Sequence, residues 1–203
     1  MANIIGSLHN SFVFQRRIQV LSNEVASMMT DVKTVLDIGC GDGSMSKLVE
    51  QKKGNKVKFK GIDVMARPIC EVDFKLFDGH TIPFDDNSFD ACSLIDVLHH
   101  LRHIKELVTE AKRVASKYII IKDHLYNSSL DFSILKFMDW IGNKPHEVEV
   151  IYNYKNEEFW KKLFDELGLE IIVFNKQIPL YPFPFSYVFG RGLHFLALLK
   201  IKN

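Results

Sequence analysis

The sequence predicts an α/β fold, a mostly parallel sheet with helices on both faces. Two observations carry it. Strand-like apolar runs alternate with helical patterns along most of the chain. The first such run, 34–38, passes directly into Gly39-Cys40-Gly41-Asp42-Gly43 and then into a helical pattern from Ser44 to Gln51. Strand, tight glycine turn and helix in that order build a nucleotide-sized site at the carboxyl end of the first strand. Glycines at alternate positions let the backbone turn sharply and let a ligand approach main-chain atoms with no Cβ in the way.

At 203 residues the chain suits one α/β domain, here 1–203. A formal net charge of +1 gives no broad electrostatic footprint for nucleic acid, so no nucleic-acid partner is expected. Cys40, Cys70 and Cys92 are odd in number and lack metal spacing, which fits a reducing cytoplasm. Residues 1–10 show no charged-then-apolar signal pattern. The most apolar late window, 178–199, contains Pro179, Pro182, Pro184, Arg191 and His194, which rules it out as a spanning helix. A soluble, cytoplasmic protein with no transmembrane segment is expected.

In chain order, residues 8–29 form an amphipathic helix with Phe12, Ile18, Leu21, Val25 and Met28 as packing positions. The first helix after the glycines spans 44–52, and Gly54-Asn55 signals a turn. Residues 57–63 make a second strand ending in Asp63, and 72–77 a third, followed by Asp78-Gly79. Only about eight residues link these two strands, Pro68 among them, so the usual crossover helix is short, irregular or missing there. A fourth strand at 91–95 leads into Asp96-Val97-Leu98-His99-His100, then a helix at 103–115. Residues 118–122 are the most strand-like run and end at Asp123-His124. Leu130, Ile134, Phe137, Met138 and Ile141 fall at helical spacing before Gly142-Asn143-Lys144-Pro145 breaks the pattern. This insertion, 124–155, stands outside the simple alternation. A helix at 155–167 ends in Gly168, and 169–174 and 193–201 are the last two strands, joined by an aromatic- and proline-rich loop at 177–192.

The glycine loop decides among ligands. No Gly-Lys-Ser/Thr follows it, which excludes a Walker phosphate loop. A dinucleotide fingerprint needs G-x-G-x-x-G, and Ser44 occupies the third glycine position. Asp42 stands where a pyrophosphate would meet the helix N-terminus and would repel it, whereas a cationic ligand tolerates it. Asp63 lies 20 positions after Gly43, the spacing that presents a carboxylate to ribose hydroxyls. A carboxylate offers acceptors and a vicinal diol offers donors.

Four segments in order, VLDIGCGDG at 35–43, GIDV at 61–64, FDGHTIPFDDNSFD at 77–90 and SLIDVLHHL at 93–101, resemble class I S-adenosylmethionine-dependent methyltransferases of the small-molecule, quinone-biosynthesis-like group. The resemblance implies a Rossmann-like seven-stranded sheet with an antiparallel last strand, S-adenosylmethionine as cofactor and a small-molecule methyl acceptor as partner. It implies that Gly39, Cys40 and Gly41 line the methionine end, with Asp37 bracing the loop or reaching the amino group through water. It puts Asp63 on the ribose, Val64 and Met65 against the adenine, and Asp78 and Gly79 at the adenine edge. Ile95 and Asp96 would border the methyl-transfer site, and residues 1–30 would cap the pocket.

His99, His100 and His124 are the candidate general bases, because transfer to oxygen or carbon usually requires a proton to leave. His99 and His103 share a helix face, but the spacing offers no third ligand, so no metal is expected. Lys52, Lys53, Lys56, Lys58 and Lys60 read as a solvated helix end and strand face. Aromatics concentrated in 127–154 and 177–192 predict a lid over an apolar acceptor pocket. The alternatives are a catalytically inactive cofactor-binding partner domain and an RNA or protein methyltransferase. The latter lacks support, because no Asn/Asp-Pro-Pro-aromatic tetrapeptide follows the fourth strand.

Overall fold

Alternation of side chains along each strand sorts this protein into two cores. The computed structural model describes residues 2–143 and 151–202, with the side chains of residues 2–14 and 141–143 outside that description. On β1 (Thr34–Ile38), Leu36 and Ile38 enter one core and Val35 the other. Asp37 projects on the Val35 face by the same period of two. β1 pairs in parallel with β2 (Lys58–Asp63) and with β4 (Phe89–Ile95). β3 (Asp73–Leu76) extends the sheet beyond β2, and β5 (Ala115–His124) extends it beyond β4, both in parallel. β7 (His194–Ile201) then runs antiparallel between β5 and β6 (Leu169–Asn175). The order is β3-β2-β1-β4-β5-β7-β6, a seven-stranded sheet.

Helices cover both faces. α3 (Ile104–Val114) buries Ile104, Leu107, Val108, Ala111 and Val114, a stripe that packs on β4 and β5. α5 (Glu157–Glu166) shares that core through Trp160, Leu163 and Phe164. Asn156 caps α5 by accepting from the Phe159 N–H, and Gly168 ends it at φ +64°. The opposite core holds α1 (Ala2–Met28), through Leu21, Val25 and Ala26, and α2 (Ser44–Lys52), through Val49.

No helix joins β2 to β3. The link folds back on the glycine loop instead: Glu71 N–H donates to Asp42 O, and a Cβ built on Gly43 would come within 2.9 Å of Val72 Cγ2. The insertion forms α4 (Ser129–Asn143), and its buried face follows the predicted stripe in part: Ile134 and Met138 pack against the core around Leu135. Leu130 and Phe137 are 56% and 52% exposed, while Asp131, Leu135 and Asp139 point inward. The inward face combines Leu135, packed with Tyr154 and Leu193, and carboxylates with local or loop partners: Asp131 accepts from the Asn127 N–H and Asp139 from the Tyr154 hydroxyl. Residues 144 and 145, expected to break α4, lie outside the described residues. The 177–192 loop contains a short helix, α6 (Phe185–Phe189). Among the described residues no helix is long and apolar enough to cross a membrane.

Trp160 is fully buried among Phe164 and Phe195, yet its Nε1 has no hydrogen-bond partner among the described residues. Trp160→Ala should therefore cost about 3–5 kcal/mol in denaturant unfolding. Trp160→Phe should cost about 1–2 kcal/mol, because it leaves a smaller cavity and removes the unsatisfied donor.

Candidate functional site

The strand order reverses direction between β1 and β4, and ligands of open α/β sheets bind at the carboxyl ends flanking such a point. On the β1 side, Gly39, Gly41 and Gly43 all have positive φ, at +75°, +58° and +71°. A Cβ on Gly39 would lie 2.4 Å from Val97 Cγ2, so the glycine loop touches the segment after β4. Around Gly41 the same construction meets no heavy atom within 4 Å: this face of the loop is open.

Main-chain and side-chain groups of neighbouring strands hold the loop. Gly39 and Cys40 N–H groups donate to Ile62 O, and Gly41 N–H donates to Asp63 Oδ2 at 3.0 Å. Met65 N–H donates to Asp63 Oδ1. Asp37 is buried behind the loop and accepts from the hydroxyls of Ser46 on α2 and Ser93 on β4. Burial, with Asp63 nearby, pushes Asp37 up to about 6 against the pull of the two hydroxyls. Asp78 follows β3 and accepts from the His80 and Thr81 N–H groups, which hold it below the usual carboxylate range. Gly79, at φ +84°, lies against Val64. The predicted adenine-side residues thus gather at the ends of β2 and β3, with Val64 and Met65 exposed.

Beyond Ile95, at the carboxyl ends of β4 and β5, lies a buried polar cluster. Lys122, with no exposed surface, donates through Nζ to Asp96 Oδ1 and lies 3.3 Å from His194 Nδ1. Arg17, from α1, reaches Asp96 Oδ2 at 3.1 Å. His99 Nδ1 lies 2.8 Å from Asp123 Oδ1, while Leu98 and His99 N–H groups donate to Asp123 Oδ2. His124 Nδ1 lies 3.2 Å from His99 Nδ1 and 3.3 Å from Asp123 Oδ1. Asp139 of α4 accepts from the Tyr154 hydroxyl and sits 3.6 Å from His99 Nε2.

Burial would raise the Asp96 carboxyl, but Lys122 and Arg17 outweigh it and hold the group well below the ordinary range. Asp123 is likewise held down by His99 and His124 against burial. Burial, reinforced by Arg17, lowers Lys122 despite Asp96, and burial with Lys122 and His124 lowers His194. The aromatic segments converge here: the Tyr154 ring centre is 6.0 Å from that of His99, and the Tyr181 hydroxyl is 3.4 Å from His194 Nε2.

The predicted histidines separate. His99 and His124 join the cluster. His100 lies tilted against His99, its Nδ1 has no partner among the described residues, and burial plus His99 lower it to about 4. His103 is exposed beside Glu106 and does not share a ligand set with His99. The third ligand atom that spacing failed to offer is supplied by the fold, since Asp96, His99 and His124 place ligand atoms within 4.8 Å of one another. Arg17, Lys122, Asp123, Asp139 and His194 were not singled out from sequence. The available signal was a charged pair, Lys122-Asp123, ending an isoleucine run, and a histidine opening an apolar one.

A family model described as a methyltransferase domain matches residues 12–173. The fold is similar to that of a protein from Pyrococcus horikoshii OT3, at 18% identity over 93% of this chain and 91% of that one, with a TM-score of 0.67. It is also similar to the complex of the Haloferax volcanii Trm112 methyltransferase activator with a putative methyltransferase, at 13% identity over 90% and 89%, TM-score 0.66. A SAM-dependent methyltransferase from Aquifex aeolicus matches at 18% identity over 89% of each chain, TM-score 0.60. S-adenosylmethionine is the cofactor, and the residues fit it. The open face of Gly41 admits a ligand, and the loop and strand ends offer carboxylates rather than the cations a pyrophosphate needs.

Gly39→Ala should cost roughly 2–3 kcal/mol in thermal unfolding, since it adds left-handed strain and strikes Val97. Gly41→Ala should cost about 1 kcal/mol but weaken cofactor binding at least about tenfold. Asp37 also sets a pH dependence. Between the ordinary Asp range and about 6 the folded chain holds a proton that the unfolded chain has lost, so this group makes stability fall as pH rises through that window. A cationic ligand favours the carboxylate and releases that proton. Affinity for S-adenosylmethionine should therefore fall below pH about 6, by at most about tenfold per pH unit, and Asp37→Asn should flatten the slope. Calorimetric titration from about pH 5 to about pH 8 measures it, and a flat wild-type profile would contradict the assignment.

Proposed function

The chain belongs to the methyltransferase-domain family, and we propose that it transfers a methyl group from S-adenosylmethionine to a small apolar or aromatic acceptor. The observation that carries this reading is the juxtaposition at the β1/β4 crevice. The glycine loop touches the segment that carries Asp96 and His99, and Tyr154 and Tyr181 crowd onto the same cluster.

When bound, the cofactor supplies an electrophilic methyl on a sulfonium. The chain's part is binding and alignment. The backbones of Gly39, Cys40 and Gly41 would line the methionine end, with Asp37 bracing the loop from behind. Asp63 would accept from the ribose hydroxyls with the lone pairs that Gly41 and Met65 leave free. Val64, Met65, Asp78 and Gly79 would hold the adenine, and Ile95 and Asp96 would border the methyl group. Fixing acceptor and donor in line accounts for several kcal/mol of barrier reduction, about 7–11 at the upper end. His99 and His124, both anchored on Asp123, would assist loss of the acceptor's proton. His100, which lacks that anchor, is not assigned. Free cysteines at 40, 70 and 92 agree with a cytoplasmic setting.

Titration with S-adenosylmethionine should show binding where NAD shows none, and Asp63→Asn should weaken it about 10- to 100-fold, or about 1.4–2.8 kcal/mol. A labelled-methyl assay over quinols, phenols, amines and transfer RNA should give turnover with a phenolic or quinol acceptor. Turnover with transfer RNA alone would replace the small-molecule reading, and binding without turnover on any acceptor would identify a non-catalytic partner domain.

A further inference from the structure

Part of the polar cluster is arranged in a way that hydrogen bonding alone uses poorly. Nδ1 of His99 and Nδ1 of His124 face each other at 3.2 Å, and both face one oxygen, Asp123 Oδ1, at 2.8 and 3.3 Å, an oxygen that also accepts from the His124 backbone N–H at 2.7 Å. Ligand atoms bonded to one small cation at roughly 2.0–2.2 Å stand about this far apart. Asp96 brings a second carboxylate, its Oδ1 4.0 Å from His124 Nδ1 and shared with Lys122 Nζ. The contributing residues are fixed from behind, as metal ligands usually are. Leu98 and His99 N–H groups pin Asp123 Oδ2, and Asp139 stands 3.6 Å from the far nitrogen of His99. The cluster's three carboxylates, Asp96, Asp123 and Asp139, outnumber its two fixed cations, Arg17 and Lys122.

We propose that His99, His124 and Asp123, with Asp96 as a fourth ligand, form a binding site for a divalent first-row transition-metal ion. Two imidazoles with carboxylate oxygens suit iron(II), zinc or manganese better than calcium or magnesium. The fold brings the ligand atoms together, whereas the spacing of the histidines along the chain does not assign such a site. Its catalytic use rests on the methyl-transfer reading above. There, the ion takes an acceptor's hydroxyl oxygen as a further ligand and lowers its pKa. The acceptor's O–H bond breaks and the proton passes to solvent. An O–CH3 bond forms as the S–CH3 bond breaks, and the electron pair of the latter stays on sulfur. The matching substrate class is an acceptor with an ionisable hydroxyl, and His99 and His124 then promote loss of its proton as ligands of the ion, in place of the direct base role given them above.

The test uses the full chain, stripped with chelator and titrated with cobalt(II) under visible absorption. One equivalent should bind with a d–d band that zinc(II) abolishes by competition. His124→Gln and Asp123→Asn should each weaken cobalt(II) at least about tenfold, and His103→Ala, an exposed imidazole outside the cluster, should leave it unchanged. Copper(II) loaded at one equivalent into the wild-type chain should show coupling to two imidazole nitrogens in electron paramagnetic resonance, a readout that needs no variant to fold. Substoichiometric binding, binding lost in His103→Ala but kept in His124→Gln, or a copper spectrum without imidazole coupling would overturn the site. None of these measurements uses a methyl donor or acceptor, so their failure is separable from failure of the methyl-transfer reading.

Discussion

A lysine with no exposed surface has to find a carboxylate, and Lys122 finds Asp96. Removing Asp96 would leave the buried lysine uncompensated, a change that typically costs about 3–5 kcal/mol. The pair arises from strand register. Ile95 of β4 lies opposite Lys122 of β5, and the next residue, Asp96, turns at φ +59° while its N–H donates to Lys122 O. Its second oxygen then takes Arg17 from α1, and the lysine's other neighbour is His194 from β7. One ion pair thereby ties together the helix before the sheet and three of its strands.

The same logic extends along the carboxyl edge of the sheet. Below it, β1, β4 and β5 are lined with aliphatic residues such as Leu36, Leu94 and Ile121. At the edge, polar groups replace them in every central strand: Asp37 and Asp63 on β1 and β2, Asp96 after β4, and Lys122-Asp123-His124 closing β5. β7 runs antiparallel, so its first residue, His194, reaches the same edge, where it pairs opposite His124. Burying this many polar groups is tolerable only because they satisfy one another, and it concentrates charge where an α/β sheet holds its ligands.

Much of this was legible in the sequence. β1 and α2 fall where the apolar run and the helical pattern placed them, because glycines at positive φ punctuate both ends. The crossover helix between β2 and β3, expected from the residue count to be short, irregular or missing, is absent: the nine residues that link the strands are fewer than a usual crossover needs. The polar cluster was not legible as a unit. His99 and His124 are 25 positions apart, and Asp123 and His194 come from strands whose pairing no local pattern reveals. α4 shows the same limit: hydropathy pointed to Leu130 and Phe137 as its inner face, yet Asp139 turns inward toward Tyr154 and His99. A carboxylate on a helix reads as a solvent-facing residue until its partner is known.

Methyl transfer at the β1/β4 crevice requires the sulfur of the cofactor to lie between the glycine loop and Asp96. A crystal structure of the chain with S-adenosylhomocysteine measures that directly. The ribose should lie on Asp63, the adenine between Val64 and Asp78, and the thioether sulfur should face Asp96 and the His99–His124 pair. A nucleoside bound elsewhere, or a sulfur turned away from Asp96, would contradict this placement.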